Sequence, residues 1–364
     1  MTVISGFNVC NVPVLIGDIL ISSEIDGDNN LSLPTVSNIS DVFPAGSGFE
    51  PTGLFQKIAV IGDNIAIAWA GRRILATSII RKIDEINACA PLNWVSLAGH
   101  LSEMKRKNEL EEISLLAYIV DNGQLKIIPH NAKIIDTKQY GLAYVAGGCS
   151  GYLDGLMKAE RLPRTNFGQM NNLDLAISFV SVFNGTYLHK EMIDRENLLH
   201  YYGGGYEGAF YTGSKFGKID DVTYCFWKYG EDSNSKGLYF RKLIKQFYYN
   251  DILCYFIIEP EEMGCFDNFL IRQIAVPPIL RRICEDEYSR IKFLNINSRY
   301  TCHSFSIQLE SGLSALAPLF QCEDSYDRLL VKFSLNHDQF KIDFHPNFFI
   351  YIETLRNEVR NNKQ

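Results

Sequence analysis

Several features are scarce or missing in this 364-residue chain, and each absence removes a class of function. No apolar run approaches the ~20 residues that cross a bilayer. The start, Met1 to Phe7, lacks the basic opening and long apolar core of a signal peptide, so a cytoplasmic protein away from the membrane is expected. Positive charge is not in excess: 35 Lys and Arg face 42 Asp and Glu, a net of -7, which disfavours a nucleic-acid partner. The nine cysteines are scattered with no CxxC pair, which excludes zinc-ribbon and thioredoxin-type motifs and predicts free, mostly buried thiols. No GxGxxG follows the first strand and no GxxxxGK follows Gly203-Gly204-Gly205, so dinucleotide and P-loop phosphate sites are not expected. His303 beside Cys302, and His337 with His345, stand at no recognised metal spacing, and neither a metal nor a cofactor is expected.

What is present is a globular composition, 46% hydrophobic and 21% charged, with enough length for about two domains. Val3 to Phe7 and Val12 to Ser22 read as strands. Ser23 to Thr52 is rich in Gly, Ser, Pro, Asp and Asn, and a stretch of that kind is a candidate lid. Lys57 to Ile61 and Ile65 to Ala70 form a strand pair around Gly62-Asp63-Asn64, apolar on both faces and therefore buried on both. Leu75, Ile79, Ile80, Ile83 and Ile86 recur at helical spacing, and a weaker helical stretch runs from Val95 to Glu111. Asn122-Gly123 marks a further hairpin, and Tyr144 to Ala146 runs into the turn Gly147-Gly148-Cys149-Ser150-Gly151. Two helices then follow, the second carrying Leu173, Ile177, Val180 and Phe183. This order predicts stacked sheets with helices outside. From Tyr229 the chain becomes aromatic and strand-rich, after Glu231 to Gly237, which reads as a linker or long loop.

One group of residues carries chemistry. If Met1 is removed, Thr2 has a free α-amine with a reference pKa near ~7.7–8.0, so a single residue supplies both hydroxyl nucleophile and base. Asp18 ends the apolar strand Val14-Leu15-Ile16-Gly17-Asp18, and Lys57 opens the next strand pair. An acid and a base at the edges of buried strands must be paired or solvated. A Lys57 ammonium beside the Thr2 hydroxyl would stabilise an alkoxide, Asp18 would hold that lysine charged, and the Gly71 N–H would receive the oxyanion.

These spacings, with Lys57 to Gly71 reading KIAVIGDNIAIAWAG, resemble the start of a proteasome β-type subunit, one of the N-terminal nucleophile hydrolases. The resemblance covers about residues 2–228. It implies an α+β fold, a four-layer αββα sandwich over residues 1–228 with an insertion at 23–52, followed by a C-terminal strand-rich domain at 229–364. It also implies a threonine peptidase or amidohydrolase acting on a peptide or protein substrate, with Thr2, Asp18, Lys57 and Gly71 catalytic, and a homo-oligomer. The family's supporting serine lies in a Gly-Ser-Gly turn, here matched either by Cys149 or by Ser150. The family's Asp-x-x-Ser-Gly signature corresponds to His200-Tyr201-Tyr202-Gly203-Gly204, which keeps neither functional side chain. Trp69 stands at the base of the family's specificity pocket, which implies a preference for small P1 side chains. The competing expectation is a non-catalytic scaffold or sensor that binds a protein partner through residues 229–364.

Overall fold

The computed structural model describes residues 2–23, 31–43, 50–137, 141–148, 170–232, 235–261, 268–291, 296–308, 314–323, 330–336 and 339–361. Among them the chain forms twenty strands in five separate sheets, with six α-helices.

Strands β1 (Ile4–Val9) and β2 (Val12–Asp18) make the first hairpin. Its turn residues Cys10 and Asn11 take φ of 51° and 66°, the left-handed pair that a tight hairpin turn demands. They join β9 (Ala132–Thr137), β10 (Gly141–Ala146), β11 (Tyr206–Tyr211) and β12 (Phe216–Lys218) in a six-stranded sheet of order β12-β11-β2-β1-β10-β9. A four-stranded sheet is built from β5 (Ile58–Ile61), β6 (Ile65–Gly71), β7 (Ile113–Asp121) and β8 (Gln124–His130).

The period-two pattern of β6 explains how these two sheets pack. Ile65, Ile67 and Trp69 point to the apolar layer under helices α1 (Arg73–Cys89) and α2 (Trp94–Arg106). The small residues Ala66, Ala68 and Ala70 face the other way and share a core with Ile4, Leu15 and Tyr118 between the sheets. Alanines there let the two sheets approach, and the Tyr118 ring fills the space they leave.

The outer face of the six-stranded sheet overturns the expected architecture. It is covered by α3 (Asn172–Ile193), whose residues from Ala176 to Val182 are all buried, polar Ser178 and Ser181 included. A helix with apolar residues all round cannot face solvent. Its far side packs on another six-stranded sheet made of β13 (Val222–Asp232), β14 (Ser235–Tyr249), β15 (Ile252–Pro260), β16 (Phe269–Val276), β17 (Tyr300–Gln308) and β18 (Ser314–Cys322), in the order β16-β15-β14-β13-β17-β18. That sheet's other face packs on the hairpin β19 (Val331–Asn336) and β20 (Gln339–Phe344) and on the helix spanning Pro346–Asn361. The chain is therefore a strand-rich assembly of several sheets and not a four-layer αββα sandwich.

Three smaller expectations also change. In the segment read as a linker, Glu231 pairs with Lys236 and Asp232 with Ser235, so its described residues continue the β13–β14 ladder. The position 228/229 lies inside β13, and one apolar cluster joins Val14, Ile177, Tyr255 and Phe320 across it. The 23–52 segment is bounded by β3 (Leu20–Ser23) and β4 (Glu50–Leu54), which pair with each other. Its described part is docked, not lid-like: Leu33, Val36, Ile39, Val42 and Phe43 form a buried cluster with Leu198 of α4 (Glu196–Leu199).

Candidate active site

The end of β2, the start of β5 and the chain terminus meet at one buried point. Lys57 Nζ donates to Thr2 Oγ1 at 2.9 Å, to Asp18 Oδ1 at 2.8 Å and to the Leu20 carbonyl at 2.6 Å. Three acceptors match the three protons of an ammonium. Thr2 Oγ1 thus receives a hydrogen bond from Lys57, and its own proton is left for another acceptor. Lys57 and Asp18 have no exposed side-chain surface, and Thr2 is 6% exposed. Burial pulls the Lys57 pKa below its usual value, and the Asp18 carboxylate opposes that pull.

Asp18 is fixed by backbone as well. Its Oδ1 also accepts the Val3 N–H at 3.0 Å, and its Oδ2 accepts the Gly203 N–H at 2.9 Å. The Val3 bond ties the carboxylate to the residue next to Thr2. Gly203 must be glycine: its φ is 112°, and a Cβ would stand 2.2 Å from Glu191 Oε1.

A second buried ion pair supports Lys57 from behind. Glu207 of β11 accepts the N–H groups of Lys57 and Ile58 through Oε1, and Lys218 Nζ and the Tyr248 hydroxyl through Oε2. It therefore clamps the first two residues of the strand pair. Neither Glu207 nor Glu191 was singled out in the sequence. The available signal was a lone acid inside an otherwise apolar element, in Tyr206-Glu207-Gly208-Ala209-Phe210 and at the end of α3.

Gly71 closes β6. The Trp69 N–H donates to the Lys57 carbonyl at 2.9 Å, so the register puts Gly71 two positions beyond Lys57's partner, at the same end of the sheet. Gly147 lies against Thr2, since a Cβ there would stand 1.9 Å from the Thr2 carbonyl oxygen. The turn containing Cys149 and Ser150 thus begins beside Thr2, while those two residues lie outside the described ones. Trp69 is completely buried, edge-on to Phe55, with its indole N–H donating to the Gln56 carbonyl at 3.3 Å. Its ring belongs to the core, and Phe55 rather than Trp69 borders open space. Beside Phe55 a cleft of about 890 Å³ runs between α1 and residues 277–283. Arg73, Arg81, Lys82, Arg281 and Arg282 line it against one carboxylate, Glu85.

No protein-family model matches the chain, and no curated protein matches it. Among the described residues no group of His, Cys, Asp and Glu is arranged to hold a metal ion. His303 is buried, with Nδ1 accepting from Trp227 Nε1 at 3.1 Å, and His337 lies outside the described residues. Among the same residues no helix is long and apolar enough to cross a membrane.

Proposed function

We propose that the chain is a threonine-type N-terminal nucleophile hydrolase acting on peptide or other amide bonds, with Thr2 exposed as its first residue by removal of Met1. The observation that carries this reading is the Lys57 ammonium, donating at 2.9 Å to Thr2 Oγ1 while Asp18 holds it at 2.8 Å. A buried ammonium aimed at a hydroxyl oxygen stabilises that oxygen as it becomes an alkoxide.

In the proposed reaction the Thr2 hydroxyl proton passes to its own α-amine as Oγ1 bonds to the substrate carbonyl carbon. The carbonyl oxygen becomes the oxyanion, received by the Gly71 N–H. Collapse of the tetrahedral adduct breaks the C–N bond, and the leaving amine takes the proton from the α-ammonium. Water, deprotonated by the same amine, then releases the acyl group and restores Thr2. The cleft beside Phe55 is the path assigned to the substrate chain.

Two measurements test this together. Intact mass should correspond to loss of Met1, because a retained Met1 would lock the amine in a peptide bond. A peptide bearing an electrophilic carbonyl or epoxide should label the wild type and leave Thr2→Ala unlabelled; equal labelling of the two would overturn the reading.

A further inference from the structure

A second carboxylate stands one glycine away from the candidate site. Glu191, near the end of α3, is completely buried and has no cation among its hydrogen-bond partners. Its Oε2 accepts from Thr35 Oγ1 at 2.9 Å. Its Oε1 accepts from the Tyr206 hydroxyl at 2.9 Å and from Asn197 Nδ2 at 3.4 Å, and the Gly204 N–H is bonded to the carboxylate too. All of these partners donate as the carboxylate stands, and Asn197 Nδ2 and the Gly204 N–H cannot do otherwise, so the site favours the ionised form.

The glycine between is the link. Gly203 packs so closely on Glu191 that no side chain fits, and its N–H is one of the donors to Asp18. Its carbonyl accepts from the N–H groups of Leu20, at 3.0 Å, and Ile19, at 3.3 Å. The carbonyl of Leu20 is in turn an acceptor for Lys57. Glu191 thus sets the position of a loop that touches two of the three partners of the Lys57 ammonium, Asp18 and Leu20.

We infer that Glu191 is a positioning residue for the Asp18–Lys57–Thr2 group, and that its protonation releases the Gly203 loop and disables Thr2. Asn197 Nδ2 and the Gly204 N–H can only donate, so protonation forces the hydroxyl of Thr35 or Tyr206 to turn round and accept the new O–H, and the carboxyl loses a donor and the geometry that donor fixed. This inference rests on the hydrolase reading for its effect on activity, and on geometry alone for its effect on the loop.

The surroundings leave Glu191 free to titrate alone near neutrality. Burial lifts its carboxyl to about 7. The phenols of Tyr206, Tyr187 of α3 and Tyr255 of β15 are held neutral by burial, and Tyr202 completes the aromatic wall. His189, on the same helix, is pushed down to about 3 and stays neutral. Asp18 is committed to Lys57. Lys242 of β14 donates to the Thr35 carbonyl and pairs with Glu259 at 2.7 Å, so its charge is already compensated.

The experiment follows the rate of covalent labelling by the electrophilic peptide from pH 5.5 to 8.5, alongside amide hydrogen exchange of Val3 and Gly203 normalised for the intrinsic pH effect. In the wild type two groups must lose protons, the α-amine and Glu191, so log rate against pH should steepen to a slope approaching 2 below about pH 7. Glu191→Gln should show a slope near ~1 and a rate at pH 8 lowered ~10- to 100-fold by the displaced loop. Thr35→Val removes a donor to the ionised form and should move the steep limb to higher pH. Exchange at Val3 and Gly203 should speed up below about pH 7 in the wild type and become independent of this step in Glu191→Gln. Unchanged slope, unchanged limb in Thr35→Val and pH-independent exchange in the wild type would overturn the inference. A wild type that is never labelled but shows the exchange step would overturn the hydrolase reading and leave the loop coupling standing.

Discussion

Replacing Lys57 by Met is the sharpest test of how the candidate site is held. The thioether is close in length to the lysine stem and apolar, so the cavity is filled while the charge disappears. Asp18, with no exposed surface, then keeps only the N–H groups of Val3 and Gly203, and the Leu20 carbonyl loses the lysine donor. Removing one partner of a buried ion pair costs roughly 3–5 kcal/mol. Two opposing effects bear on that range. The two remaining backbone donors spread the stranded charge, and the burial of the ammonium, which already depresses the Lys57 pKa, is relieved. A loss of about 3 kcal/mol at pH 8, at the lower end of the range, is the expected outcome.

The charge left behind also dictates a pH dependence. Without Lys57 the folded state buries the Asp18 carboxylate with no cation beside it, a cost that burial imposes on the charged form and not on the neutral one. Lys57→Met should therefore be more destabilised at pH 8 than at pH 5. The double variant Asp18→Asn/Lys57→Met should recover at least about 1 kcal/mol relative to the sum of the single variants, because the pair is removed as a unit. Urea unfolding at the two pH values, with matched m-values, measures all of this. A loss below about 1 kcal/mol that is equal at both pH values, together with additive single variants, would refute the buried-pair argument.

Other outcomes follow from the same geometry. Labelling of Thr2 should rise with pH as the α-amine deprotonates and fall again as Lys57 does, with the upper limb below the ordinary lysine value because burial lowers that pKa; a stopped pH series reads both limbs. Glu207→Leu leaves two backbone N–H groups without their acceptor and the part-buried Lys218 ammonium with only Gln56 Oε1 and the Ile58 carbonyl, and a loss of roughly 2–3 kcal/mol by denaturant unfolding is expected. Electrophilic peptides with acidic side chains should label faster than basic ones, with a gap that narrows as salt is raised, since Arg73, Arg81 and Arg282 line the cleft beside Phe55 against Glu85, while Arg281 is held by Asp251 and Glu287 and Lys82 by Glu109. A chain ending at residue 228 should fail to fold, as it would leave the apolar far side of α3 uncovered; a cooperative unfolding transition for that fragment would contradict this.

Much of the N-terminal part was legible because its signals are local. Asn122-Gly123 produced the left-handed turn it announces, with φ of 50° and 75°. The spacing of Leu75, Ile79, Ile80 and Ile83 produced a helix that buries the last three of them. Thr2, Asp18 and Lys57 could be grouped because a charge at the edge of an apolar strand needs a partner, and each supplied what another lacked. The number of layers was not legible by the same reasoning. Leu173, Ile177, Val180 and Phe183 define one apolar face of α3, but Phe179, Val182 and Leu188 define others, and it is the second set that requires another sheet. Reading one stripe of a helix that is apolar all round gives a lid where the chain has a core. Glu191 and Glu207 escaped notice for a related reason: their partners come from positions as far apart as Thr35, Tyr248 and Lys218, and no spacing in the sequence joins them.

The C-terminal strands and the candidate site are therefore parts of one polar network. The carboxylate that orders Lys57 is held by Gly203, Gly203 is set by Glu191, and Glu191 is held by Thr35 of the 31–43 segment and by Tyr206. Thr35 is itself gripped by Lys242 of β14, and the carbonyl of Tyr206 accepts from the Tyr255 hydroxyl of β15 at 3.0 Å. Tyr248, at the end of β14, reaches Glu207 behind Lys57. Each of these contacts is polar and buried, so each costs free energy unless it is made in full. A set of buried polar groups distributed over the terminus, the 31–43 segment, α3 and the sheet of β13 to β18 can be satisfied only when all four are in place. That requirement gives Lys242, Tyr248 and Tyr255 a physical role: they hold Thr35, Glu207 and Tyr206, which in turn set the Gly203 loop and the backbone of Lys57.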